Sequence, residues 1–541
     1  VLSVLGFLAV LGPLVVFHEF GHYLFARLFN VKAEIFSVGF GKKLWSRQIG
    51  ETEWRLSLIP LGGYVKLLGE ETDAPLPPEL AARSLHRQAA WKRFFIFFGG
   101  PLFNFILAAF VYMLIVMIGE PQTASVVGRV VQGSDAAIAG FHPGDRIVDI
   151  QGRIVSRWEE VVQAFNDRPS QPTQVQVLRG ATSAPVTLTV KPRETVGYTS
   201  YGENALVGEV QGLIGLPRSA VLGVSDPQSW AGKAGLKTGD ALVSWAGAPV
   251  SSFEQVEALF AQAPVGTPQA VRIRTGGKGP EKDLQLVKTA TETTLSSLGI
   301  HSSELFVEKV MDKSPAQKAG LKAGDRLVAV GKVDVFSFFT LRESVQKGGE
   351  SSERKVQVAW EREGKRFEAE IVPDANESRD PTLKKITQYT IGVVPMLTWG
   401  EPVTFIERTL NPALALWKGT ERMVVNSAKN FISIGKMFSG NVSLGTLGGP
   451  VLIGKLAGES LSRGLLSYLN LMAILSIGLG VLNILPVPVL DGGHLVLLGI
   501  ESIRGKPLSM KQMEIAQNVG LAMILLLMLV VLKNDVTRLV N

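Results

Sequence analysis

Apolar residues crowd toward the two ends of this chain and thin out in its middle. Residues 1–17 carry no charge, and the apolar run continues to Phe29; Phe94–Ile118, Leu465–Leu485 and Val519–Leu532 are likewise uncharged. At about 1.5 Å of rise per residue, about 20 such residues cross a hydrocarbon core of ~30 Å. Four membrane-spanning helices are therefore expected, over 1–29, 94–119, 465–490 and 513–533. The first has no basic leader and no small-residue cleavage site, so it is expected to be retained.

Between the first two spans, residues 30–93 alternate in short strand-like runs: Glu34–Val38, Lys43–Gln48, Trp54–Ile59 and Gly63–Leu68, punctuated by Gly39, Gly41, Gly50, Gly62 and Gly63. A small membrane-associated β-sheet follows from this pattern. It either offers an edge on which an extended substrate adds a strand, or serves as scaffold alone. Residues 402–440 read differently. Phe405, Leu410, Leu414, Trp417, Met423, Phe431, Ile434 and Phe438 recur at helical spacing among Arg408, Lys418, Arg422 and Lys429. That is an amphipathic helix, lying on a membrane surface or packed under the neighbouring domains.

Residues 122–397 have the pattern of soluble α+β structure and repeat internally. Ala139-Gly140-Phe141-x-x-Gly144-Asp145 recurs as Ala234-Gly235-Leu236-x-x-Gly239-Asp240 and as Ala319-Gly320-Leu321-x-x-Gly324-Asp325. Each copy precedes a strand (Arg146–Ile150, Ala241–Trp245, Arg326–Val330), a helix (Trp158–Phe165, Phe253–Phe260, Phe338–Val345) and a further strand. The order resembles three PDZ domains in the bacterial arrangement, over 122–215, 216–292 and 295–397. PDZ domains bind peptide C-termini by strand addition, with the carboxylate in a backbone nest. Leu298-Gly299-Ile300 reads as such a loop for the third unit, and Ile214-Gly215-Leu216 as one for the second. The alternative is a set of domains that only space or pack.

Composition narrows the chemistry. The chain has 541 residues, 46% of them hydrophobic, and no cysteine, so there are no disulfides and any metal must use His and carboxylate. The net charge of +7 is not read as nucleic-acid binding, because many Lys and Arg flank the spans. Arg27, Lys32, Lys42, Lys43, Arg47, Arg83, Arg87, Lys92 and Arg93 place the 30–93 loop in the cytoplasm by the positive-inside rule, and Arg504, Lys506 and Lys511 do the same for the segment after the third span. Both termini and the repeats are then expected on the opposite side.

Inside the first apolar run lies Phe17-His18-Glu19-Phe20-Gly21-His22. On a helix His18 and His22 share a face and can bind one Zn2+ ion, with Glu19 placed to take a proton from a bound water. Ionisable residues inside a membrane are costly and functional by default. A catalytic zinc commonly has three protein ligands. Asp491, after the helix-breaking Pro486 and Pro488, is the best candidate for the third; His494 competes with it, or is a partner of the ligands or a simple interfacial residue. Asn483 either donates to substrate backbone or bonds between helices. Gly100 and Asn104 share one face of the second span, for helix packing or for a place beside the site.

Together, His18-Glu19-Phe20-Gly21-His22, Pro60-Leu61-Gly62-Gly63-Tyr64-Val65-Lys66, Gly100-Pro101-x-x-Asn104, the PDZ-like units and Asn483-x-x-Pro486-x-Pro488-x-Leu490-Asp491-Gly492-Gly493-His494 resemble the site-2 protease family of intramembrane zinc metalloproteases, RseP-type members above all. The resemblance implies His18, His22 and Asp491 as zinc ligands and Glu19 as base. It implies a bacterial inner-membrane location and a single-span substrate already trimmed by another protease, commonly an anti-sigma factor in envelope stress signalling; signal-peptide remnants are another substrate class. Asn104, Asn483, Gly299 and Ile300 are the candidate substrate contacts. RseP-type members usually carry two PDZ domains, and this chain reads as having three. The rival readings are a zinc transporter, which needs no Glu beside a ligand, and a PDZ scaffold with a structural zinc.

Overall fold

The structure is a computed structural model that describes residues 2–69, 77–180, 184–198, 204–379, 385–439, 445, 447–506 and 508–540. Val1 and the parts of the expected 30–93 loop, the first and third PDZ-like units and the 402–440 segment between those ranges lie outside the described residues. The chain divides into two compact units, 1–120 with 406–541, and 121–405.

The first unit is helical. Its long helices are α1 (Leu2–Leu28), α2 (Ala90–Ile118), α3 (Pro412–Phe438), α4 (Pro450–Arg463), α5 (Leu465–Ile484), α6 (Asp491–Arg504) and α7 (Met510–Val540). Four of them, α1, α2, α5 and α7, are long and apolar enough to cross a membrane. The third expected span is shorter than 465–490. Helix α5 ends at Ile484 and α6 begins at Asp491, because Pro486 and Pro488 lack the N–H groups that a continuing helix needs.

Helices α1, α2, α4 and α5 share a core that includes Val10, Leu14, Tyr112, Ala457, Tyr468 and Ile477. Close approach of α1 and α2 depends on Gly21 and Gly99: a Cβ on either would strike the other's backbone. Helix α3 seats Gly419 on the backbone of α2 at Ala109 and Met113, and Asn426 donates to the Tyr112 hydroxyl at 3.0 Å. The amphipathic segment is thus helical only from Pro412. Asn411 caps it, accepting from Ala413 and Leu414 N–H, while Thr404–Glu407 is extended. Helix α4 was not among the expected elements; its N-terminus is capped from α7, where buried Asp535 accepts from Gly449 and Val451 N–H at 2.9 and 3.0 Å.

The expected four strand segments form as two bent strands, β1 (Ala33–Ile49) and β2 (Thr52–Leu67). Gly39 and Gly41, at φ 92° and 84°, make the bend that a side chain would resist. Phe36 lies opposite both Val65 and Trp54 and stacks on the Trp54 ring at 4.3 Å. The 63–67 segment runs beside α1: a Cβ at Gly63 would come within 3.0 Å of Glu19 Cγ.

The second unit holds three similar cores. Each repeat has a four-stranded antiparallel sheet of the same order and one longer helix, Trp158–Asn166, Phe253–Gln262 or Phe338–Glu350. The repeated Asp is structural. Asp145, Asp240 and Asp325 are buried and accept the N–H groups of His142, Lys237 and Lys322.

The structure moves the repeat boundaries. Leu295, Leu298 and Ile300 pack in the middle core, and His301–Ser302 pairs with Leu222–Gly223. Leu298-Gly299-Ile300 therefore closes the second repeat and does not open the third. Likewise Leu213–Ile214 pairs with Arg129–Val130 in the first repeat, and Val393–Pro395 closes the third against Val307–Val310. The equivalent glycines are Gly212, Gly299 and Gly392, at φ 78°, 81° and 79°. Each sits against the serine that caps its repeat's first short helix: Ser134, Ser229 or Ser314. Gly215, of the Ile214-Gly215-Leu216 segment expected as a carboxylate loop, instead lies against Trp158.

Candidate metal centre

The first half of the site follows from helix geometry. His18 and His22 are one turn apart on α1, with Nε2 atoms 3.3 Å from each other. The second half comes from the α5–α6 connection. The two prolines stop α5, and Gly492 and Gly493 let the chain fold back, since a Cβ on either would strike the carbonyls of Ile484 or Val487. Asp491 is thereby placed at the first turn of α6. Its Oδ2 lies 3.3 Å from His18 Nε2 and its Oδ1 3.4 Å from His22 Nε2.

These three ligand atoms lie within 4.8 Å of one another, the one such group of three or more found among the described residues. Two imidazole nitrogens and a carboxylate oxygen suit zinc and leave a coordination position for water or substrate. The second nitrogen of His22 is also engaged: Nδ1 meets the Ile96 carbonyl at 2.8 Å. A carbonyl only accepts, so Nδ1 carries the proton and the Nε2 lone pair is free toward the cluster. The residues present fit a zinc ion.

Glu19 follows His18 and faces the 63–67 segment through Gly63. Asn104 of α2 is wholly buried, with Nδ2 3.1 Å from His18 Nδ1. Asn483, at the end of α5, has Nδ2 3.4 Å from both ring nitrogens of His18. His494 is outside the cluster; its ring stacks on Phe97 at 5.0 Å. Together with the Arg93–Glu501 ion pair at 2.9 Å, that stack docks α6 on α2.

Gly299 and Ile300 belong to the other unit. The N–H groups of Leu298, Gly299 and Ile300 donate to Leu295 or Ser296 carbonyls at 3.0–3.1 Å, so they do not form an open carboxylate nest. The Ile96 carbonyl and the Phe97 and Arg93 supports are not visible in the sequence pattern. A backbone carbonyl leaves no residue-type signal; Arg93 reads as one more cytoplasmic cation until Glu501 is placed beside it.

Residues 6–527 match the model of peptidase family M50. A Neisseria meningitidis protein provisionally named a zinc metalloprotease is 34% identical, over 100% of both chains. The regulator of sigma-E protease RseP of Escherichia coli is 30% identical over 98% of both; the regulator of sigma E protease of Haemophilus influenzae is 29% identical, also over 98% of both. Among solved structures, a PDZ domain protein from Parabacteroides distasonis matches 50% of this chain and 95% of its own, at 11% identity and a TM-score of 0.13, too low to bear on the fold.

Proposed function

The chain belongs to peptidase family M50 and is a metalloendopeptidase, and from that premise we propose that it cuts the transmembrane segment of a single-span membrane protein in the bacterial inner membrane, as a step in sigma-E regulation. The observation that carries this reading is the meeting of His18, His22 and Asp491 among helices apolar enough to span a bilayer. The sigma-E role follows from the RseP relative. The substrate on this reading is an anti-sigma factor already shortened by another protease.

His18, His22 and Asp491 would hold the zinc ion. When bound, zinc lowers the pKa of a coordinated water and polarises a carbonyl. Glu19 accepts the proton of the attacking water and returns it to the leaving amine nitrogen. Asn483 steadies the substrate backbone beside His18. A substrate helix must unwind before its peptide bond can be attacked, and bare backbone is costly in lipid. The 63–67 edge, next to Glu19, offers it strand hydrogen bonds that offset this cost.

The three repeats are PDZ-like domains on the periplasmic side, between the second and third spans. They restrict access to substrates with short periplasmic tails. Peptide capture has one structural support: a cavity of about 690 Å³ lies against Phe253, Ser297 and His301 of the middle repeat, walled by Arg129 of the first and Phe336 of the third.

The test is cleavage of a purified single-span substrate with and without a zinc chelator. Cleavage that stops with chelator and returns with zinc supports the reading. Cleavage indifferent to the chelator contradicts it, and zinc transport without cleavage favours the transporter.

A further inference from the structure

Ile96, Gly100 and Asn104 lie at four-residue intervals on α2 and face two histidines of α1 that are also four apart. The Ile96 carbonyl meets His22 Nδ1. Gly100 lies against both rings, so that a Cβ there would run into His22 Nε2 and His18 Cε1. Asn104 has Nδ2 3.1 Å from His18 Nδ1, while its Oδ1 is buried without a partner. The Asn104 backbone carbonyl is satisfied by Ser476 Oγ–H at 2.7 Å, so the orphan is the amide oxygen alone. A buried unpaired acceptor beside a ring nitrogen calls for an explanation.

The ring nitrogen that this amide meets raises a second matter, the tautomer of His18. With Nδ2 donating to Nδ1, the neutral ring carries its proton on Nε2, directed at Asp491. That arrangement suits the His18–Asp491 contact but not a cation at Nε2, which needs the lone pair there and the proton on Nδ1. Turning the amide about its Cβ–Cγ bond exchanges oxygen for nitrogen. The unpaired Oδ1 then accepts from Nδ1–H, and Nε2 keeps its lone pair. Asn483 also presents Nδ2 to His18 but from 3.4 Å to both ring nitrogens, so it does not select between them.

We propose that Asn104 is a positioning residue for His18: its amide oxygen holds the Nδ1 proton and thereby presents Nε2 to the metal. This replaces the expectation that Asn104 contacts substrate. It rests on the reading of His18 as a zinc ligand. Helix α2 then orients both histidines, one through the backbone at Ile96 and one through the side chain at Asn104.

The experiment compares wild type, Asn104→Leu and Asn104→Asp as full-length protein in detergent. Zinc affinity is read by chelator competition, and the ligand field by the visible spectrum of the Co2+-substituted protein. Asn104→Leu keeps the bulk but has no acceptor, so zinc affinity should fall roughly 10–100-fold, as for lost outer partners of metal-bound histidine. Asn104→Asp can only accept, so it should restore affinity to within a few-fold of wild type by rough expectation, with the wild-type Co2+ spectrum. Cleavage by Asn104→Leu should recover in excess zinc. Wild-type affinity in Asn104→Leu overturns the proposal, as does an Asp variant no better than Leu. Should Asn104→Leu fail to fold, Asn104→Asp alone decides: near-wild-type affinity supports the proposal, and a fall of more than about tenfold overturns it. A wild type that binds no zinc fails earlier, by removing the metal-site reading itself.

Discussion

His18 Nε2 and Asp491 Oδ2 lie 3.3 Å apart, although one belongs to the first helix of the chain and the other follows the third span. Asp491→Ala should therefore cost zinc affinity more than the roughly 10–100-fold of an outer partner. His494→Ala should cost no more than that, because His494 stacks on Phe97 away from the cluster. Zinc content and chelator competition on the two purified variants check the order. A site emptied by the His494 change and filled in the Asp491 variant would reverse the ligand assignment.

Orientation in the membrane is testable because the chain has no native cysteine. Gln48 in β1 and Ser251 in the middle repeat are both exposed. Cysteine at 48 should be shielded from an impermeant thiol reagent in intact spheroplasts, and cysteine at 251 should label. The opposite pattern would place the repeats in the cytoplasm.

His301 gives the second unit a pH dependence. Burial, with help from the Arg326 guanidinium, lowers its pKa from 6.5 to about 4. The unfolded chain therefore binds a proton between those values that the folded one does not. The stabilisation is complete above pH 6.5 and is lost as pH falls toward 4, by about 3 kcal/mol if the whole shift is expressed. Thermal unfolding at stepped pH, followed by a probe in the repeats, should show a steeper acid loss for wild type than for His301→Gln. Parallel slopes would mean that His301 is not the titrating group.

Removing 121–405 with a short linker should spare cleavage of a pre-trimmed substrate and admit the untrimmed one, since the metal-ligand group found among the described residues lies outside the repeats. Loss of cleavage of the trimmed substrate, in inserted and zinc-loaded protein, would refute the access role. Substitution at Gly299 is a poor probe of peptide capture. A side chain there would collide with Ser229 and strain a left-handed backbone, so it reports on folding.

Much of this was legible because it is written in local periodicity and local chemistry. Uncharged runs marked the four helices long and apolar enough to cross a membrane, alternation and glycines marked the strands between 33 and 67, and His18 and His22 fixed their own spacing. The meeting of Asp491 with the two histidines was anticipated on a different ground: a carboxylate after two prolines beside an apolar run is costly unless it finds partners. The repeat boundaries were misjudged because each repeat is closed by its own C-terminal strand. Linear order places Leu298-Gly299-Ile300 ahead of the third Ala-Gly motif, whereas hydrophobic packing places it in the second core. Helix α4 is short, and the Asp535 cap that starts it comes from a distant helix, which linear order does not show.

Glu19 is expected to move the proton of a hydrolysis at the site where His18, His22 and Asp491 meet. Glu19→Gln is nearly isosteric but cannot accept that proton. Zinc content and cleavage of a single-span substrate should be measured on the same preparation. Glu19→Gln should keep wild-type zinc content with cleavage reduced about 10²–10⁴-fold, the usual contribution of a general base. A Glu19→Gln protein that holds zinc and cuts at the wild-type rate would contradict that role.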